Sequence, residues 1–234
     1  MGINYVADAP REVRQFGDEE GVWGGMSQAD VQHVAEIFNT PLTGSYNWDY
    51  RVADNRIQRL YELGKTLNWN GSLDVHWDQT PDWHEQTPIT PESVDEFLAN
   101  ADWTGYAPFD ALSTERKLEF VKHDFAWSLS QFLHGEQGAL LVASQLASCA
   151  PSFNAKMYAA SQTFDEARHV EVFNRYLQTK VGLSYSVNQG LKSLLDKILT
   201  DERWDLKFIG MQIVLEGLAL AAFHIAMNDT DDPV

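Results

Sequence analysis

The second half of this sequence has helical periodicity with almost no interruption, and this constrains the fold more than any other feature. Only two of the eight prolines follow residue 108. From Ser113 onward, apolar residues recur at the three- and four-residue spacing of amphipathic helices. The pattern predicts four helices, over about 114–149, 152–179, 187–200 and 203–228. We therefore expect an all-α fold in which residues 113–234 form a helical bundle.

The first half has a different character. Six of the eight tryptophans and six of the eight prolines lie within the first 108 residues, where no periodicity persists for long. We predict that residues 1–112 form an irregular, partly helical N-terminal extension that packs on the bundle. Short amphipathic patterns predict helices over about 31–38 and 50–64, and the part between 68 and 108 is expected to be mainly coil.

Composition and charge exclude several classes of protein. A net charge of −17 repels phosphate backbones and anionic lipid headgroups, so neither nucleic acid nor a membrane is expected as a partner. The chain has one cysteine, Cys149, and therefore no internal disulfide. Its first thirty residues lack the basic start and apolar core of a secretory signal. These features predict a cytoplasmic protein.

One segment, Phe208 to Met227, is about as long and as apolar as a membrane span. It contains Gln212, Glu216 and His224, and a carboxylate in the middle of a bilayer is costly. We therefore expect a buried helix of a soluble protein rather than a membrane helix.

Three carboxylates lie on apolar helix stripes, where acids are rarely found. Glu136 shares its stripe with three leucines, a phenylalanine and an alanine, and Glu166 and His169 share another at a spacing of three residues. Glu216 has apolar residues on every side of its helix. Burying an ionised carboxylate costs several kcal/mol, so these acids need a compensating cation.

The chain turn near Pro151 strengthens the case for a bound metal. Glu136 and Glu166 are each fifteen residues from this proline, so an antiparallel hairpin places them at the same height. A ligand set of carboxylates with one imidazole is typical of iron or manganese, since structural zinc favours thiolates and calcium avoids imidazole. Taken singly, each acid has an ordinary explanation as an ion-paired or solvated group, and His169 as a core histidine. We interpret His134 and His224 as structural.

These residues resemble the ferritin-like di-iron carboxylate proteins, in particular the oxygenases related to the small subunit of ribonucleotide reductase. The likeness rests on a lone Glu136, the run Asp165-Glu166-Ala167-Arg168-His169 thirty residues later, and the buried Glu216. It covers about residues 114–234 and implies a ferritin-like bundle. It implies that Glu136, Glu166, His169 and Glu216 are metal ligands, and that Asp165 and Arg168 orient ligand imidazoles.

The resemblance also implies a function. Its members hold two iron ions, or a manganese and an iron, and use O2 to oxidise a small organic substrate, as hydroxylases, N-oxygenases or desaturases do. An electron-donating reductase or ferredoxin and a homo-oligomeric state are expected. Two alternatives remain open: a non-catalytic helical interaction protein, and a ferritin-like protein that stores metal or handles peroxide.

Two departures from the family pattern are informative. The family has a second Glu-x-x-His on a fourth helix, whereas this sequence holds four of the six ligands and looks incomplete before that helix. Activity of these 234 residues alone is therefore uncertain. Radical-carrying relatives have a tyrosine four residues after the first ligand histidine, and this chain has Phe173 there. The resemblance thus favours substrate oxidation over radical storage.

Overall fold

The computed structural model describes residues 14–16, 25–26, 38–40, 44–52, 54–79, 94–95, 98–99 and 101–229. These residues are mostly helical, with very little strand, as the sequence predicts. The elements in chain order are β1 (Arg14–Phe16), β2 (Gly25–Met26), α1 (Asn55–Thr66), α2 (Ala107–Asp110), α3 (Thr114–Cys149), α4 (Phe153–Tyr176), a π-helical segment (Leu177–Val181), β3 (Leu183–Tyr185), α5 (Gln189–Thr200), α6 (Trp204–Phe208), a second π-helical segment (Ile209–Leu215) and α7 (Glu216–Asp229).

The hairpin of α3 and α4 is the largest packing unit of the described chain. Ser113 caps the start of α3 by accepting a hydrogen bond from the Arg116 N–H, and Ser152 caps α4 in the same way from the Ala155 N–H. The bounds of α3 match the prediction. The second helix was predicted to continue to residue 179, but its α-helical part ends at Tyr176 and the chain goes on as the first π-helical segment.

Two apolar clusters stabilise the bundle at different heights. The larger joins α3, α4, α5 and the second π-helical segment through Ala139, Val142, Leu146, Ala159, Leu195, Ile198, Leu199 and Met211. The smaller lies at the other end of the hairpin and contains Ala126, Leu177, Val181 and Leu183. The stretch of α3 and α4 between the two clusters carries Glu136, Glu166 and His169.

After α4 the chain returns along the bundle through β3 and α5. β1 lies between the other two strands, antiparallel to β2 and parallel to β3. We did not predict this small sheet, because strands of two or three residues are too short to show a period of two. Lys207 of α6 is fully buried and donates hydrogen bonds to the carbonyls of Ile198 and Leu199, so it caps the C-terminal end of α5.

The last helical run is much less buried than predicted. Within the described residues, Trp204–Ile225 is the one helix long and apolar enough to cross a membrane, with a mean hydropathy of 1.7. Only 6% of its most apolar stretch is buried. The prediction of a buried helix is therefore wrong for the described chain, in which Ile213, Leu218 and Leu220 are exposed.

The N-terminal part follows the prediction in outline. α1 begins at Asn55 rather than near residue 50, because Asp54 caps it by accepting a hydrogen bond from the Arg56 N–H. The segment after α1 forms turns between residues 71 and 79. The helix predicted over 31–38 lies almost wholly outside the described residues.

Two glycines of α3 give a test of this packing. A Cβ at Gly138 would lie 2.4 Å from the Leu195 Cδ2 of α5, whereas a Cβ at Gly135 would meet nothing within 4 Å. We predict that Gly138→Ala lowers the free energy of unfolding by about 1–3 kcal/mol through overpacking. Gly135→Ala is the matched control and should raise it by about 0.5–1 kcal/mol. Urea unfolding measures both values, and equal stability of the two variants would contradict the packing of α5 on α3.

Candidate metal centre

Glu136, Glu166 and His169 meet between α3 and α4. Each offers one ligand atom, and the three atoms lie within 4.8 Å of one another. Both glutamates are buried, with exposures of 7% and 3%. The prediction that these residues face each other across the hairpin is confirmed.

His169 holds the two carboxylates together. Its Nδ1 lies 3.0 Å from Glu136 Oε2 and 3.0 Å from Glu166 Oε2. Burial alone would lower the pKa of His169, but the hydrogen bonds and charges of the two glutamates outweigh it and raise the pKa to about 10. At neutral pH the imidazole is therefore a cation shared by two acids.

Glu166 shows the cost of placing two acids so close together. Burial raises the pKa of its carboxyl group, His169 opposes that rise, and the neighbouring Glu136 adds to it. One imidazolium therefore compensates the two acids only in part, which leaves excess negative charge in the cluster.

Glu216 lies close to this cluster but outside it. It is the first residue of α7, directly after the second π-helical segment, and π-helical turns are frequent at functional sites. It lines the same cavity as Glu136. Burial and the charge of Glu166 raise the pKa of Glu216 to about 7. Tyr158 is a neighbour that sequence reasoning missed: burial and the charges of Glu166 and Glu216 raise its pKa.

Asp165 and Arg168 lie beside the cluster and bond to each other. Arg168 is buried, and its Nη1 also donates to the side chain of Asn68 and to the carbonyl of Trp69, the latter at 2.8 Å. The arginine thus attaches the segment after α1 to the ligand helix α4. The predicted role of these two residues in orienting imidazoles stays a prediction.

Trp69 is the contact that sequence reasoning missed most clearly. Its ring stacks on the His169 ring with centroids 6.1 Å apart and planes 20° apart. The Arg168 guanidinium lies 4.8 Å from the centroid of the same indole. One aromatic side chain from the N-terminal extension therefore contacts a ligand candidate and the arginine next to it. No local pattern marks this tryptophan among the eight.

Three phenylalanines form a layer next to the cluster. Phe132, Phe173 and Phe223 come from α3, α4 and α7, and their ring centroids are 4.9–6.0 Å apart. Phe132 and Phe173 are each four residues from a ligand candidate, one helical turn away. These rings shield the acids from the end of the bundle where the smaller apolar cluster lies.

The two histidines interpreted as structural lie apart from the cluster. His134 Nε2 donates to the backbone carbonyl of Tyr185 at 2.8 Å, which ties α3 to β3. The side chain of His224 is exposed on α7.

The residues present fit one transition-metal ion. Two ligand atoms that are each about 2.2 Å from an ion lie at most about 4.4 Å apart. The three ligand atoms here lie within 4.8 Å of one another, so they would have to approach by only a few tenths of an ångström to bind one ion. Two carboxylates and one imidazole are also the donor set that iron and manganese prefer. A second ion would need Glu216 as a ligand. Within the described residues, no further histidine joins the group of Glu136, Glu166 and His169.

We predict that Trp69 positions the His169 imidazole for metal binding. Trp69→Ala should weaken Mn²⁺ binding about 10–100-fold, because partners that orient ligand histidines typically contribute this much. Trp69→Phe should restore most of the affinity. Trp77→Ala is the matched control, since Trp77 belongs to the same segment and packs on Arg175 of α4. Calorimetric titration measures the affinities, and an equal loss in both alanine variants would show that the ring itself is unimportant.

A second prediction concerns stability without metal. A carboxyl group whose pKa rises from 4.5 to about 7 on folding binds more protons in the folded state, so stability falls as pH rises across that range. Glu216→Gln removes this effect. Relative to wild type, the variant should gain about 1–3 kcal/mol between pH 5 and pH 8 in EDTA.

Chemical unfolding at the two pH values measures this gain. Glu202→Gln, at an exposed position just before α6, is the control and should show no such gain. A Glu216→Gln protein less stable than wild type at pH 8 would indicate a structural ion pair instead.

Comparison with known proteins does not extend this description. No protein-family model, no curated protein and no solved structure matches the chain. The geometry of Glu136, Glu166 and His169 therefore carries the functional argument.

Proposed function

We propose that this chain is a ferritin-like, non-haem di-iron carboxylate oxidoreductase that uses O2 to oxidise a small organic substrate, with Glu136, Glu166 and His169 holding the first ion and Glu216 binding the second. The observation that carries the proposal is the convergence of Glu136, Glu166 and His169 on one point inside the hairpin. Glu216, on a third helical run, borders the same cavity as Glu136. Bound there, iron, or a manganese and iron pair, would supply the redox chemistry of dioxygen activation.

The protein's own residues prepare the site in three ways. Glu136 and Glu166 supply buried negative charge that attracts a cation. His169 supplies a neutral nitrogen once its proton has left for solvent, because a metal ion competes with that proton for the same nitrogen. Trp69 restricts the orientation of the imidazole, and the phenylalanine layer covers the acids on one side.

Buried acids without a cation destabilise a fold, and this supports a metal over a purely structural network. A structural pair would be satisfied by one partner for each charge, as Asp165 and Arg168 satisfy each other. Here two acids share one imidazole, and a third acid nearby has its pKa raised to about 7. Such a local excess of negative charge is typical of a cation site.

The expected partners follow from this chemistry. Oxygen activation needs electrons, so a reductase or ferredoxin is the expected donor, and the substrate is a small organic molecule. A cytoplasmic location and a homo-oligomeric state remain predictions from the sequence. The exposed apolar surface of Trp204–Ile225 favours one alternative, a helical interaction protein, because surfaces of this kind usually contact a partner.

Metal analysis separates these functions. We predict that the purified protein, loaded anaerobically with Fe²⁺ and desalted, retains iron. Glu136→Ala, Glu166→Ala and His169→Ala should each lower the retained iron at least tenfold. Glu119→Ala is the matched control, since Glu119 is an exposed acid of the same helix α3 paired with Arg116.

The result also tests the reaction class. Iron retained equally by wild type and the His169 variant would refute the ligand assignment, and a wild-type protein without iron would favour the interaction protein. Oxygen uptake that depends on an organic substrate supports an oxygenase. Uptake proportional to added Fe²⁺ alone would instead indicate a ferritin-like storage activity.

A further inference from the structure

A cavity of about 390 Å³ opens directly beside the carboxylates. Its walls come from two helical stretches, residues 127–139 of α3 and residues 211–222 of the last helical run, and Asn188 and Leu191 close it at the start of α5. Glu136 and Glu216 both border it, so a molecule bound here lies next to the proposed metal centre.

Small side chains keep this cavity open. Gly135, Ala139, Ala219 and Ala222 all line it. A Cβ added at Gly135 would meet no atom within 4 Å, so this glycine borders unfilled space next to Glu136. The interior of a helix disfavours glycine by about 0.5–1 kcal/mol relative to alanine. Residue 135 therefore controls how much room a bound molecule has.

The lining also restricts the charge of that molecule. Apart from the two glutamates, the described residues that line the cavity are apolar, aromatic or neutral polar, and none is a lysine, arginine or histidine. An anion would meet two acids with no cation to receive it. An ammonium group would lose its hydration against mostly apolar walls, while Glu136 is engaged by His169 and Glu216 would be engaged by a second bound ion.

The neutral polar groups lie on the α3 side and at its contact with α5. Ser128 and Gln131 share a face of α3, and the Gln131 side chain is already occupied by Asn188 and by the Ser186 carbonyl. The Ser128 hydroxyl is thus a neutral group available to bind a hydroxyl or carbonyl. The size is sufficient for a bicyclic molecule, since a cavity of about 150 Å³ already holds benzene.

We infer that this cavity binds an uncharged, largely apolar organic molecule of about two fused rings, and that Gly135 sets the size limit. The inference rests on the proposed function in one respect: it makes this molecule the class of substrate that the oxidoreductase acts on. The binding site itself is argued from the lining alone.

Three probes with one aromatic body test the inference. They are 2-naphthalenemethanol, which is neutral, 2-naphthoate, which is an anion, and 2-naphthylmethylamine, which is a cation. Calorimetric titration of the Mn²⁺-loaded and the metal-free protein gives each Kd. We expect the neutral probe to bind at least tenfold more tightly than either charged probe in the Mn²⁺-loaded protein.

A pair of glycine variants shows where the probe binds. Gly135→Leu should weaken binding of 2-naphthalenemethanol at least tenfold, because the new side chain enters the cavity. Gly217→Leu is the matched control: an added Cβ at Gly217 also meets nothing within 4 Å, but Gly217 is exposed and does not line the cavity. It should bind the probe as wild type does, and circular dichroism should show both variants folded.

Each outcome decides a separate point. Equal binding of all three probes, tighter binding of a charged probe, or equal loss in both leucine variants overturns the inference. If the protein binds Mn²⁺ but not the neutral probe, the substrate class is wrong and the proposed metal centre stands. If the neutral probe binds in a Gly135-dependent way but no metal is retained, the cavity assignment stands and the proposed function fails.

Discussion

The hydrogen bond from His169 of α4 to Glu136 of α3 fixes how the two helices lie along each other. Each carboxylate oxygen is 3.0 Å from the same nitrogen. A slip of one helical turn along the hairpin would move the two acids about 5.4 Å apart and leave one of them buried without a partner. Apolar packing tolerates small changes of register better than a buried charge does, so this contact selects one register among several.

Other parts of the structure pack around this cluster. One apolar cluster lies above the acids and another below them, and three phenylalanines cover one side. The N-terminal extension adds Trp69 against His169, whose side chain stays 40% exposed, and Trp77 against Arg175. Helix α4 therefore contacts residues about one hundred positions earlier in the chain.

Much of the bundle could be predicted from sequence because its signals are local. Ser113 and Ser152 cap the two long helices, and equal spacing about Pro151 predicted that Glu136 and Glu166 would meet. Long-range contacts leave no such signal. Nothing near Trp69 indicates that it stacks on His169, and β1 pairs with β3 across more than 150 residues. The exposure of the last helical run was also unpredictable, because apolar periodicity does not show which neighbours cover a helix.

The position of Glu216 illustrates why periodicity alone fails at this site. In an uninterrupted α-helix, nine residues turn about 900°, so Lys207 and Glu216 would point in opposite directions. Lys207 is fully buried against α5, yet Glu216 faces the cavity beside Glu136. Seven of the intervening residues are π-helical, and at roughly 80° per residue they reduce the separation to about 40°. The π-helical segment thus lets one apolar run cap α5 with a lysine and direct a carboxylate inward. A sequence pattern read at 100° per residue shows neither orientation.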